Sequence, residues 1–321
     1  MNVDLNLSSL ENWGLGLTSE NPLVISGPCS AESESQVMET CVRLANSGKV
    51  NILRAGIWKP RTRPNCFEGI GSVGLKWLKA ASKETGLPTT VEVANVKHVY
   101  EALRMGIDIL WIGARTTVNP FAVQEIADAL RGVDIPVMVK NPVNPDLPLW
   151  MGALERLNQA GITKLGAIHR GFSAYGETKY RNKPQWNIPI ELKRQLPNIP
   201  LVCDPSHICG RRDTLHIVAQ KAMDLDFDGL MIESHITPDK ALSDARQQVT
   251  PERCHEILDG LVRRQTSTND EIFQHTLDDL RQKIDLVDLE VLDIFAKRMG
   301  VAAEIGRFKK ANGITLSLIH I

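Results

Sequence analysis

No CxxC pair occurs among the six cysteines of this chain, Cys29, Cys41, Cys66, Cys203, Cys209 and Cys254. Neither a disulfide framework nor a local zinc-finger spacing is therefore expected, and the thiols read as reduced and cytosolic. Net charge is almost lacking too: 37 basic side chains face 38 acidic ones. With no global basic field there is nothing to hold a nucleic-acid backbone, so any anionic ligand must be met by locally gathered cations. No apolar run reaches the roughly 18 residues that a membrane span needs. The opening MNVDLNLSSLENWGLGLTSE has neither a basic nor an apolar signal region, so it is not read as a signal peptide and the cytoplasm is the expected compartment. What is present is ordinary for a folded protein, with 43% hydrophobic and 23% charged residues. A chain of 321 residues suits one large domain with an appendage.

Short apolar runs rich in β-formers recur along the chain: PLVISG (22–27), VNILRAG (50–56), PTTVEVA (88–94), ILWIGA (109–114), PVMVKN (136–141), KLGAIHR (164–170), PLVCDPS (200–206) and GLMIES (229–234). Several follow a proline, as the start of a buried strand should. Amphipathic stretches lie between them, such as SESQVMETCVRLANSG (33–48), where Ser33 is placed to cap a helix and Gly48 to end it. Eight strand–helix units in series predict an α/β fold of the (β/α)₈ TIM-barrel type. An open doubly wound sheet would concentrate its ligand site at one switch point. Here polar residues end nearly every run, which favours the barrel.

RRQTSTND (263–270) reads as a linker. Beyond it Phe273, Leu277, Leu280, Ile284, Val287, Val291, Ile294, Arg298, Val301, Ile305 and Phe308 alternate at spacings of four and three. That seam predicts one long helix that must pack on partner helices; from 271 to 310 it would run roughly 60 Å. The expected division is a barrel over 1–262, a linker over 263–270, and a partial helical segment over 271–321.

The strand ends carry the chemistry. In order they offer Cys29, Arg54 with Lys59-Pro60-Arg61-Thr62, Glu92, Arg115, Lys140, His169-Arg170, Asp204 with His207, and Glu233 with His235. A barrel brings these ends to one face, where active sites are built. Five or six cations at one mouth repel each other unless an anion neutralises them, so the ligand should carry several negative charges. Arginine forks suit phosphate and carboxylate, which favours a small phosphorylated acid. Cys29, His207, Glu233 and Asp244 form a mixed sulfur, nitrogen and oxygen set suited to Mn²⁺, Fe²⁺ or Zn²⁺. Their separations are long, so only the fold can gather them.

Seven motifs in order, GPCSAE (27–32), LRAGIWKPRT (53–62), WIGAR (111–115), MVKNP (138–142), HRGF (169–172), DPSH (204–207) and IESH to ALSDARQQV (232–249), resemble the 3-deoxy-D-arabino-heptulosonate 7-phosphate (DAHP) synthases of the compact kind. The resemblance covers roughly residues 20–262. It implies condensation of phosphoenolpyruvate with erythrose 4-phosphate and water, the first step of aromatic amino-acid synthesis, in a homo-oligomer (dimer or tetramer). It implies that Cys29, His207, Glu233 and Asp244 bind a divalent metal, Mn²⁺ first, with Fe²⁺, Zn²⁺ or Co²⁺ as alternatives. Arg54, Lys59, Arg115, Lys140 and Arg170 would hold phosphoenolpyruvate, and Lys59, Arg61 and Thr62 would also touch the aldose phosphate. Lys59, Cys29 and His207 would be the catalytic group. The related octulosonate synthases carry a KANRSS-like run where this chain has KPRT, which points to erythrose 4-phosphate. The metal would serve as Lewis acid toward the aldehyde oxygen, while the cations orient two anionic substrates that otherwise repel.

The stretch LDDLRQKIDLVDLEVLDIFAKRMGVAAEIGRFKK (277–310) resembles the first helix of an all-α chorismate mutase. The matching functional positions are Arg281, Arg298 and Lys309. Arg298 also occupies a seam position where an apolar residue is expected, which suggests a buried anionic partner. A three-helix mutase needs roughly 80 to 90 residues, so a chain with one such helix, ending near Ala311-Asn312-Gly313, is expected to lack mutase activity, and its exposed seam to pair with the same helix of another chain or to make the protein prone to aggregate.

Several features read as structural. Gly69, Gly71 and Gly74 spell a dinucleotide fingerprint, but a polar loop separates them from the preceding strand, so loop and helix start explain them better. Cys203 reads as a small hydrophobe within its strand, Cys41, Cys66 and Cys254 as structural thiols, and His98, His216 and His255 as helix residues. Glu92 reads equally as an acid–base group or an ion-pair partner. Competing functions are octulosonate synthesis, a Schiff-base aldolase using Lys140, and a non-catalytic phosphometabolite sensor.

Overall fold

The computed structural model describes residues 5–18, 21–59, 67–264 and 268–315. Eight strands close on themselves: β1 (Leu23–Gly27), β2 (Ile52–Arg54), β3 (Thr89–Val93), β4 (Ile109–Ile112), β5 (Val137–Lys140), β6 (Leu165–His169), β7 (Leu201–Cys203) and β8 (Gly229–Glu233). They neighbour one another in chain order. The ring is sealed by parallel pairing of β8 with β1, from Leu23 opposite Gly229 to Gly27 opposite Glu233. Among the described residues one helix of nine residues or more follows each strand, from Glu34–Ala45 after β1 to Pro251–Asp259 after β8. This is the (β/α)₈ barrel expected from the eight apolar runs.

Most of those runs are continuous because both faces of the strands are buried, partly exposed Glu92 of β3 being an exception. Inward-pointing Ile25, Ile52, Ile109, Trp111, Met138, Ile168, Val202 and Met231 form the barrel interior. Their outward neighbours, among them Val24, Leu53, Val91, Leu110, Val139 and Leu230, pack with the surrounding helices. An element absent from the sequence reading closes the end where the strands begin. The short 3₁₀ turn Leu10–Trp13 adds Leu10 and Trp13 to the inner cluster, and Leu17 after it joins them. A Cβ at Gly166 would lie 3.2 Å from the Trp13 ring, so the glycine leaves room for the indole.

The opposite end is shaped by backbone proximity and capping. Gly27 has φ +149°, and a Cβ there would fall 2.0 Å from Arg54 O. Only glycine lets β1 leave the barrel so close to β2. Ser33 accepts from Gln36 N, capping the helix that begins at Glu34, and Asp204 accepts from His207 N at 3.0 Å, capping Pro205–Cys209. No helix among the described residues is long and apolar enough to cross a membrane.

Contacts divide the chain into two units, Met1–Arg264 and Gln265–Ile321. The second contains one helix of 41 residues, Glu271–Ala311. Asp270 caps it by accepting from Ile272 N and Phe273 N, and Gly313 beyond its end has φ +68°. No residue of this helix is buried.

Candidate active site

Side chains alternate along a strand, so the same parity that buries Ile52 and Met231 points Arg54 and Glu233 into the barrel mouth. Cys29, Glu233 and Asp244 meet there, with one ligand atom from each lying within 4.8 Å of the others. Cys29 Sγ is 3.5 Å from Asp244 Oδ2. His207 stands at the edge of this trio, its Nε2 3.8 Å from Glu233 Oε1. Its Nδ1 lies 2.8 Å from Asp204 Oδ2, close but not aligned as a hydrogen bond.

The donor set suits a borderline divalent ion. A buried thiol, two facing carboxylates and an adjacent imidazole offer the mixed sulfur, oxygen and nitrogen donors that such an ion takes. Burial opposes ionisation of Glu233, yet His207, Arg54 and Lys59 hold its carboxyl below the usual range. Asp244 is likewise held well below, against burial, by Arg181 first and then His207 and Lys59. The Cys29 thiol is pushed up to about 12, chiefly by burial and then by Glu233.

The expected cations line the same mouth, but with more internal pairing than a bare cationic funnel. Arg54 Nη1 donates to Glu233 Oε1 at 3.1 Å and Nη2 to Cys29 O at 3.2 Å. Lys59 Nζ donates to Cys29 O at 2.8 Å. Lys140 Nζ is 2.7 Å from Asp204 Oδ2. Beneath them lies Trp111, whose ring is 5.0 Å from Arg54 Cζ and 5.8 Å from Lys140 Nζ; its electron-rich face supports both charges. The repulsion foreseen from the sequence is therefore largely relieved by the chain's own carboxylates.

Arg170 differs. Its acceptors among the described residues are neutral, Asn182 Oδ1 at 2.6 Å and Gly171 O at 3.4 Å. Burial, against the pull of Asp204 and with help from Arg181 and Arg115, lowers it to about 10. A buried guanidinium with no carboxylate hydrogen-bonded to it among the described residues is suited to an incoming anion. Arg115, on the short helix Ala114–Thr117, is exposed nearby. Arg61 and Thr62 lie outside the described residues, as does Cys66.

Sequence reasoning placed Asp204 at a strand end without giving it a role, and passed over Arg181, Gln247 and Gln248. Asp204 is fully buried and touches both Lys140 and His207; against burial, those two hold it well below the usual range. Its signal was visible, since an Asp before Pro205 at a helix start is a capping pattern. Arg181 pairs with Asp244 at 3.1 Å. Glu92 lies close enough to Arg54 and Lys59 to favour their charged forms. In the glycine trio, Gly69 and Gly71 have positive φ and Gly74 opens the following helix, a loop-to-helix junction. On the long helix Arg281 pairs with Asp278 at 3.0 Å. Arg298 is exposed rather than buried and Lys309 is partly exposed.

Comparison with known proteins agrees with this geometry. Residues 16–268 match the DAHP synthetase I family and residues 280–317 match Chorismate mutase type II. A phospho-2-dehydro-3-deoxyheptonate aldolase of Thermotoga maritima is 31% identical over 235 residues, which are 73% of this chain and 67% of that protein. A 2-dehydro-3-deoxyphosphooctonate aldolase of Desulfotalea psychrophila is 26% identical over 265 residues, 75% of this chain and 89% of that protein. The crystal structure of the Thermotoga DAHP synthase superposes with a TM-score of 0.68 at 30% identity, covering 74% of this chain and 68% of that one. The chain belongs to the DAHP synthetase I family.

Proposed function

We propose that the barrel condenses phosphoenolpyruvate with erythrose 4-phosphate and water, releasing DAHP and phosphate, with a divalent metal held by Cys29, His207, Glu233 and Asp244. The observation that carries this reading is the contact between two sets of groups: the Cys29–Glu233–Asp244 trio and the cations Arg54 and Lys59, which donate to the same Cys29 backbone oxygen. A bound ion supplies Lewis acidity toward the aldehyde oxygen of the aldose. Lys140, Arg170 and Arg115 are assigned to the phosphate and carboxylate of phosphoenolpyruvate. The attacking carbon and the aldehyde are thereby held close although both substrates are anions. Lys59, with Arg61 and Thr62, is assigned to the aldose side.

The Schiff-base alternative fits less well, because the Lys140 amine is engaged by buried Asp204 at 2.7 Å rather than free to attack a carbonyl. A sensor would not need a thiol–carboxylate ligand set. The octulosonate reading shares the chemistry and differs in the aldose.

The test is phosphoenolpyruvate consumption by the chelator-treated chain, with and without Mn²⁺, offering erythrose 4-phosphate or arabinose 5-phosphate. Mn²⁺-dependent turnover selective for erythrose 4-phosphate is expected. Preference for arabinose 5-phosphate would reassign the substrate, and full activity without metal would remove the metal.

A further inference from the structure

The connection after β8 contains two consecutive glutamines that are almost wholly buried, Gln247 at 1% and Gln248 at 0% exposure. Gln248 spends both ends of its amide on backbone beside the ligand trio, and Gln247 spends one end on Glu233 and the other on Arg181. Gln248 Oε1 accepts from Cys29 N at 2.9 Å, while its Nε2 donates to Ser243 O at 2.8 Å, one residue before Asp244. Gln247 Nε2 donates to Glu233 Oε2 at 2.6 Å, while its Oε1 accepts from Arg181 Nη1 at 2.6 Å. That same Arg181 nitrogen is 3.1 Å from Asp244 Oδ1.

Asp244 itself has φ +50°, a left-handed conformation that a non-glycine residue keeps only when its surroundings impose it. The surroundings are these amides together with Arg212, which donates to Ala245 O at 2.7 Å and Gln248 O at 2.6 Å. A planar amide gripped at both ends acts as a strut of fixed length. One strut spans the thiol-bearing backbone and the Asp244 backbone. The other spans Glu233 and the partner of Asp244.

We propose that Gln247 and Gln248 are positioning residues that set the separations among Cys29, Glu233 and Asp244, and with them the affinity and preference of the site for divalent ions. The inference rests on the metal reading above and goes beyond it, because neither glutamine is itself a ligand.

The test uses Gln247→Met and Gln248→Met, which keep side-chain length but remove the amide ends without adding charge, and Arg181→Gln at a partly exposed position as a variant with little effect on folding. Mn²⁺ affinity is read from the free-ion electron paramagnetic resonance signal, and site geometry from the Co²⁺–thiolate charge-transfer absorption. Phosphoenolpyruvate binding to the metal-free proteins is measured by calorimetry. The expected result is Mn²⁺ binding weakened about 10- to 100-fold with an altered Co²⁺ band, while phosphoenolpyruvate binding without metal stays within about twofold. Wild-type Mn²⁺ affinity and an unchanged Co²⁺ spectrum in Arg181→Gln and in whichever methionine variants fold would overturn the proposal. If the wild-type chain itself gives no Co²⁺–thiolate band, the metal reading falls, an outcome distinct from unchanged variants of a metal-binding parent.

Discussion

Lys59 Nζ stands 3.1 Å from Cys29 Sγ, so the ammonium partly offsets the burial that keeps this thiol protonated. In the proposed metal site Cys29 would bind as the thiolate, so holding a divalent ion would require loss of that proton. Cys29→Ala should therefore abolish turnover at limiting Mn²⁺. Cys29→Ser should be nearly as damaging, because a hydroxyl is not ionised at neutral pH. Turnover measured across a Mn²⁺ titration checks both; near-normal activity of Cys29→Ala at low Mn²⁺ would sink the ligand assignment.

Arg170 is buried with neutral acceptors, and Arg115 is exposed at the same mouth. Each is expected to lose charge-assisted bonds to a dianion when truncated, about 1.5–3 kcal/mol apiece. Arg170→Ala and Arg115→Ala should thus raise KM for phosphoenolpyruvate by roughly ten- to a hundredfold while the circular dichroism spectrum is kept. Unchanged phosphoenolpyruvate affinity in both would show that the anion sits elsewhere.

Glu92 rests against Gly113: a Cβ added there would lie 1.9 Å from Glu92 Oε1 and 2.7 Å from its Cδ. The carboxylate end is flexible, so Gly113→Ala should turn Glu92 away from Arg54 and Lys59 rather than unfold the barrel. Activity is expected to fall at least tenfold, about 1.4 kcal/mol in the barrier, with Tm nearly kept. Because the effect is routed through one side chain, adding Gly113→Ala to Glu92→Ala should cause no further loss. Additive losses in that double-mutant cycle would contradict the route.

His169 lies at the end of β6 facing out of the barrel, 5.3 Å from the Trp186 ring and 5.6 Å from that of Phe172. Burial, then the nearby Arg170, lowers it from 6.5 to about 3. The unfolded chain takes up a proton near the ordinary value and the folded chain does not, so stability falls as pH drops from about 6.5 toward 3 and is fully present above 6.5. The contribution is on the order of a few kcal/mol. His169→Leu should flatten the decline of Tm between pH 7 and pH 4, and parallel declines in parent and variant would exclude His169 as its source.

The parts legible in the sequence were those written locally. Strand runs such as PVMVKN and GLMIES announce themselves because burial on both faces demands unbroken apolar residues, and Ser33 marks a helix start by capping chemistry alone. Cys29 and Glu233 could be listed as strand-end residues before any contact was known. What stayed hidden depends on segments far apart in the chain. Nothing near Trp13 says that it plugs a barrel whose Gly166 lies over 150 residues away. Gln247 and Gln248 look like surface residues until Cys29 and Glu233 supply their partners. The cation count at the mouth was readable, but the pairing of Lys140 with Asp204 and of Arg181 with Asp244 was not, so the surplus charge looked larger than it is.

The long helix supports a last prediction: this 321-residue chain should not accelerate the rearrangement of chorismate. Mutase chemistry of the all-α kind requires cations to face a dianion from within a helix bundle, away from water, because a guanidinium in bulk solvent is too weakly coupled to its partner to favour one arrangement over another. Arg281, Arg298 and Lys309 sit on one helix with no buried residue. Arg281 is engaged by Asp278 one turn away, and Arg298 lies open to solvent. A helix carrying exposed Ile284, Val287, Val291, Ile294 and Phe308 also presents an apolar seam that favours self-association, and association is a route by which an enclosed site would arise. Chorismate disappearance is therefore followed over a wide range of chain concentration beside sedimentation analysis. A rate at the uncatalysed level throughout is expected. Prephenate formation that rises together with a larger oligomer would show instead that paired helices enclose the substrate.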